Sequence, residues 1–131
     1  MKYKILILLV ASNFCIGQTQ SEMNQEAAKN FKKADKELNS VYNQILKEYQ
    51  ADTKFITNLK VAQRAWIKFR DAEMNALFPE EDTQVQYGSV FPMCWSTAIT
   101  DLTNERVKKL KVWLNGIEEG DMCSGSIKIK E

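Results

Sequence analysis

The chain has 131 residues, with 18 basic and 17 acidic side chains and no histidine. That length suits a single domain, and the missing histidine excludes Ser-His-Asp and Cys-His catalysis together with histidine-ligated zinc. The near-neutral balance argues against nucleic acid or another polyanion as partner, since phosphate binding needs a basic excess or a concentrated patch.

Lys2 and Lys4 precede an apolar run from Ile5 to Ile16. The run is too short to span a bilayer, which takes roughly 20 apolar residues, but it suits the core of a secretory signal. Gly17 supplies the small residue before a cut, so residues 1–17 read as a signal peptide and Gln18 as the mature start. The competing reading is a lipoprotein anchored through Cys15, against which the bulk of Phe14 counts. Cleavage removes two lysines and no acid, which leaves 16 basic and 17 acidic side chains. The expected location is the periplasm or the exterior, with no membrane span.

The mature domain is expected over 18–131, with a helical core over about 21–116 and a tail over 117–131. Ser21 can cap a first helix, and no Gly or Pro interrupts the chain from Glu22 to Tyr49. Ala27, Phe31, Ala34, Leu38, Val41, Ile45 and Tyr49 repeat at fours and threes, the stripe of a bundle seam. Asp35 and Asn39 sit beside it. Asn39 is a poor helix former, which points to a specific hydrogen bond.

Asp52 or Thr53 can cap a second helix that ends before Pro79. Its apolar stripe reads as Leu59, Ala62, Trp66, Phe69 and Glu73, flanked by Gln63, Arg64, Arg70 and Asp71. Trp66 between arginines can stack with a guanidinium. Pro79 to Ser89 reads as a surface loop holding Glu80, Glu81 and Asp82. Pro92 fits the first turn of a third helix with Cys94, Ala98, Leu102, Val107, Leu110 and Trp113/Leu114 inward and Gly116 as its C-cap. Arg106, Lys108, Lys109 and Lys111 read as a solvated side of it. The fold class is all-α, an antiparallel three-helix bundle with a loose tail.

Outside the cytoplasm the two mature cysteines, Cys94 and Cys123, read as a disulfide that tethers the tail. Closing that loop would contribute about 3.5–4 kcal/mol on the chain-entropy scale. The chemistry-bearing groups otherwise stay bland. Glu80-Glu81-Asp82 lacks the alternating oxygen ligands of a calcium loop, and neighbouring carboxylates such as Asp71 and Glu73 read as solvated rather than as an acid/base pair. No phosphate-binding glycine loop occurs. The chain reads as a non-enzyme without metal or cofactor.

The ordered motifs Met23-Asn24, Phe31-Lys32-Lys33-Ala34-Asp35, Leu38-Asn39 with Tyr42, the continuous stretch from Ala62 to Glu73, Gly88-Ser89, Cys94, Leu102-Thr103 and Arg106 resemble the LprI-like family, named for the N-terminal domain of the lysozyme inhibitor LprI. The resemblance covers roughly 21–114. It implies a small helical domain of the bacterial envelope, with lysozyme or another envelope protein as partner. Relatives often carry cysteines near the position of Glu26 and at that of Met74, and this sequence carries neither.

Asp35, Asn39, Gln63, Arg64, Trp66, Arg70, Asp71, Thr103 and Arg106 are thus candidates for an inter-helix polar network, or else for a ligand cleft. The network is favoured, because a buried unpaired charge is costly. Two functions compete. One is an inhibitor that offers Glu80, Glu81 and Asp82 to the basic cleft of a lysozyme-type hydrolase. The other is a structural or envelope-associated interaction domain that binds through an apolar groove. Mass spectrometry of protein from the native host should find a mature chain starting at Gln18. An intact Met1, or a diacylglyceryl group on Cys15, refutes that processing.

Overall fold

A computed structural model describes the backbone of residues 8–130 and the side chains of 19–130. The segment expected as a signal, residues 1–17 with the Cys15 thiol among them, therefore lies outside the residues whose side chains are described. The described chain is helical throughout its core: α1 (Leu8–Glu48), α2 (Thr53–Leu77), a short α3 (Thr83–Tyr87) and α4 (Phe91–Asn115). No helix among the described residues is long and apolar enough to cross a membrane.

The α1 stripe is inward as its spacing requires. Ala27, Ala34, Leu38, Val41 and Ile45 are buried, with Phe31 and Tyr49 partly so. Ser21 lies inside α1 rather than at its start, so its hydroxyl caps nothing and accepts from Gln25 instead. Asp52 does cap α2, its carboxylate accepting from the Phe55 N–H at 2.9 Å. Leu38, Val41, Ile45, Leu59, Val107 and Leu110 form the core, closed at one end by Tyr49, Phe55 and Trp113. The three rings of that end lie in a row, with centroids 4.9 Å and 5.8 Å apart.

Two stripes are rotated from their expected faces. In α2 the buried residues are Leu59, Gln63 and Met74, while Phe69 is 56% exposed and Ala62 and Glu73 face solvent. In α4 they are Ser96, Ile99, Thr103, Val107 and Leu110, with Cys94, Ala98 and Leu102 at the margin. Both rotations have one cause: polar residues occupy inward positions that an apolar periodicity passes over.

The segment after Pro79 is not all loop. Asp82 caps α3 through the Val85 N–H, and a 3-10 turn over Gly88–Val90 leads into α4. Phe78, Tyr87 and Phe91 pack as three mutually contacting rings with centroids 5.2–5.5 Å apart, which fixes this corner. Pro92 falls in the first turn of α4, where its missing N–H costs nothing.

Gly116 ends α4 at φ 73°, and a Cβ there would meet the Lys128 carbonyl oxygen at 2.8 Å. The tail folds back on that spot. Ile117 and Ile129 form an isolated parallel bridge, the Trp113 indole donates to Ser126, and the Tyr49 hydroxyl donates to the Trp113 carbonyl while accepting from the Lys128 N–H. Lys128 also pairs with Glu48 at 3.1 Å. The Gln44 amide, and then Lys128, hold the Glu48 carboxyl below its ordinary range. This clasp is therefore fully present above the ordinary carboxylate pKa and weakens as pH falls through the lowered one.

The expected Cys94–Cys123 disulfide is corrected. Both cysteines are free. Cys94 sits in the first turn of α4 and the tail is anchored beyond its last, so roughly 30 Å of helix separates them, whereas a disulfide needs Cα atoms within about 7 Å. Hydrogen bonds and the Ile117–Ile129 bridge hold the tail instead. Denaturing alkylation without reductant should label both thiols, and Cys94→Ser should move the unfolding free energy by less than about 1 kcal/mol. A loss of the size expected for a broken cross-link would restore the bridge.

Candidate functional site

α1 and α4 share most of the inter-helix contacts. α2 lies against this pair through a polar seam built on Trp66. The Arg70 guanidinium lies 5.3 Å from the Trp66 ring centroid, and that of Arg106, from α4, lies 5.8 Å away. Each stacking contact is worth about 0.5–2 kcal/mol, depending on how dry it is.

The two arginines are compensated differently. Arg70, with only 14% of its side chain exposed, faces Asp35 of α1 at 4.0 Å and Asp71 at 3.2 Å. Arg106 donates from Nε to the buried Gln63 amide oxygen at 2.9 Å. Among the described residues no carboxylate comes within 4.0 Å of it. Burial pushes the Arg106 guanidinium below its ordinary range, the direction expected for a charge losing water.

The expected network is thus partly assembled. Asp35–Arg70 links α1 to α2, and Gln63–Arg106 links α2 to α4, with Trp66 between. Asn39 stays within its own helix, donating to the Asp35 carboxylate and carbonyl. Thr103 is fully buried, but its hydroxyl donates to the Ile99 carbonyl one turn back. Arg64 and Asp71 lie on the exposed side of α2.

Two open grooves flank α2. One, of about 440 Å³, runs past Phe55, Leu59, Ala62, Trp113 and Arg106. The other, of about 330 Å³, has Met74, Leu77, Ala98 and Leu102 as apolar lining and carries Glu73, Asp101 and Glu105. Sequence reading missed the second, since its acids come from two helices and only their packing joins them. The expected acidic loop follows α2 directly. Glu80, Glu81 and Asp82 are all exposed there, although Asp82 has one oxygen engaged in capping α3. No group of three or more His, Cys, Asp or Glu among the described residues is arranged to hold a metal ion.

Gln63→Ala removes the partner of a half-buried guanidinium and should cost about 1–3 kcal/mol. Trp66→Ala should cost about 3 kcal/mol, the low end for an aromatic truncation because part of the ring is exposed. Arg64→Ala, on the exposed side, should stay within about 0.5 kcal/mol of the parent. Chemical denaturation reads all three, and a silent Gln63→Ala would remove that amide from the seam's support.

A family profile described as "Lysozyme inhibitor LprI" matches residues 15–110. The chain is 30% identical over 111 residues to a Rhizobium meliloti (strain 1021) protein named uncharacterized protein R02472, covering 76% of this chain and 77% of that one. It is 33% identical over 64 residues to the Escherichia coli (strain K12) uncharacterized protein YecT, covering 49% of this chain and 40% of that protein. No solved structure matches it. The match to the family takes in most of α1 and α4, all of α2 and the whole Trp66 seam, and the chain belongs to the LprI family.

Proposed function

We propose that this protein is an exported binding module that inhibits lysozyme-type cell-wall hydrolases by presenting carboxylates to their substrate cleft. Membership of a family described as lysozyme inhibitors carries this reading, and the charge of the surface around the end of α2 supports it. Glu73, Asp101 and Glu105 stand around an apolar groove that Leu77 also lines. The chain then continues from Leu77 into exposed Glu80 and Glu81. A basic cleft would find apolar contact and several carboxylates on one face, and such complementarity raises association rate and selectivity.

The chemistry is occlusion rather than catalysis. An inhibitor needs its carboxylates outward, and Glu73, Asp101, Glu105, Glu80 and Glu81 are all exposed. Lysozyme is the partner, no cofactor is required, and the site of action is the periplasm or the cell exterior. The alternative, an envelope domain that binds another protein without inhibiting anything, predicts apolar and salt-tolerant binding.

Inhibition measured against a panel of lysozymes at low and high salt separates these readings. The parent should inhibit at least one of them, and less so as salt rises. Replacing Glu80, Glu81 and Asp82 together with Ser should weaken inhibition while leaving the fold intact, because Ser also caps a helix. The triple change Glu73→Gln, Asp101→Asn and Glu105→Gln should weaken it further. A parent inactive on every lysozyme at micromolar concentration removes the inhibitor reading for the enzymes assayed. Full inhibition by both triple variants moves the site elsewhere.

A further inference from the structure

Arg106 is a partly buried cation that no carboxylate answers within 4.0 Å among the described residues. It is half-buried, its Nε is committed to Gln63, and it lies over the Trp66 ring. Arg70, over the same ring, has two carboxylates nearby. Arg106 has none within 4.0 Å among the described residues, and no buried side-chain nitrogen there lacks a hydrogen-bond partner. Its remaining N–H groups therefore open outward, into the groove that Arg106 lines.

Apolar surface dominates that groove, although Ser126 and three other polar side chains besides Arg106 also line it. Phe55, Leu59, Ala62 and Trp113 supply its walls. Asp52 is the one acid among its lining residues, and the Phe55 N–H already occupies one of its oxygens. Lys54 adds a second positive charge to the lining, and Asn58 offers an amide able to donate and accept. A fixed guanidinium in apolar walls is a receptor for a planar anion with an apolar body, since the fork of N–H groups matches a carboxylate. At about 440 Å³ the groove lies in the range that holds small ligands.

We infer that the groove between the start of α2 and the end of α4 binds the C-terminal residue of a peptide, its carboxylate on Arg106 and its apolar side chain along Phe55, Leu59 and Trp113. The open shape lets the preceding chain leave the groove, with its last peptide group within reach of Asn58. Such capture of a chain terminus is a recurring recognition mode. It is separate from the acidic face of α2 and does not depend on lysozyme inhibition.

The test is fluorescence titration of the full chain with three probes: a pentapeptide ending in Leu with a free carboxylate, the same peptide amidated, and 4-methylpentanoate, which keeps the side chain and carboxylate of Leu without a peptide group. The free-acid peptide should bind saturably, roughly tenfold or more tighter than the amide, as expected for losing a charge-assisted hydrogen bond. Arg106→Gln should bring acid and amide to equal affinity. Ala62→Trp, at an exposed helix position that lines the groove, should fill it and abolish binding while leaving Arg106 itself in place, which keeps the test decisive if Arg106→Gln fails to fold. Equal affinity of acid and amide for the parent, or unchanged binding by Ala62→Trp, overturns the site. 4-Methylpentanoate binding as tightly as the peptide overturns the peptide terminus as its ligand, because that acid lacks the peptide group.

Discussion

Two guanidinium groups over one indole ring set the geometry of this fold. Arg70 and Arg106 both lie within 6 Å of Trp66, and bringing two like charges that close is tolerable only with nearby acceptors. Asp35, Asp71 and Gln63 provide them. The filling between α2 and the other long helices is therefore bulky and polar, whereas between α1 and α4 it includes Ala27, Ala34 and Ser96. Helix separation follows the side chains at the contact. α1 and α4 accordingly make the dense pair, and α2 has grooves along both flanks.

That arrangement explains why so much of α2 is exposed. Val61 and Phe69 are each more than half exposed, as is Leu77, on a helix that lies against the α1–α4 pair rather than between them. The apolar core at the Tyr49 end fixes one end of α2 through Leu59 and Phe55, and the Phe78–Tyr87–Phe91 rings fix the other. Between them, register depends on directed hydrogen bonds and ion pairs. Their net contribution to stability is small, but breaking one partner is costly. They specify position more than they add free energy.

What was legible in the sequence follows from the same distinction. The α1 stripe from Ala27 to Tyr49 is apolar at every inward position, so periodicity alone placed it. The α2 stripe was read one step round because Gln63 and Arg70 occupy inward positions while Phe69 does not. The spacing Leu59, Gln63, Trp66, Arg70, Met74 carries the right period once a polar residue is allowed inside. Likewise Ser96 and Thr103 hid the inner face of α4, Thr103 being accommodated by its bond to the Ile99 carbonyl. Gly116 and Asp52 were legible because caps are local. The cysteine pairing was not, since parity says nothing about the 30 Å or so of helix between the two ends. Nor were the grooves, each of which joins residues from two helices.

Net charge conceals the property that matters most for binding. The chain is close to neutral, yet α2 separates the signs in space. Glu73, Asp101 and Glu105 stand along one flank, and Arg106 and Lys54 along the other, where the one acid, Asp52, caps α2. At physiological salt, charges further apart than roughly 8 Å are largely screened, so an approaching partner senses the near flank rather than the sum. On the proposed readings a cationic partner would be drawn to one side of α2 and a carboxylate to the other, and neither would be repelled by the opposite flank. A helix held off its neighbours by a polar seam thus yields two chemically distinct grooves from a single packing constraint.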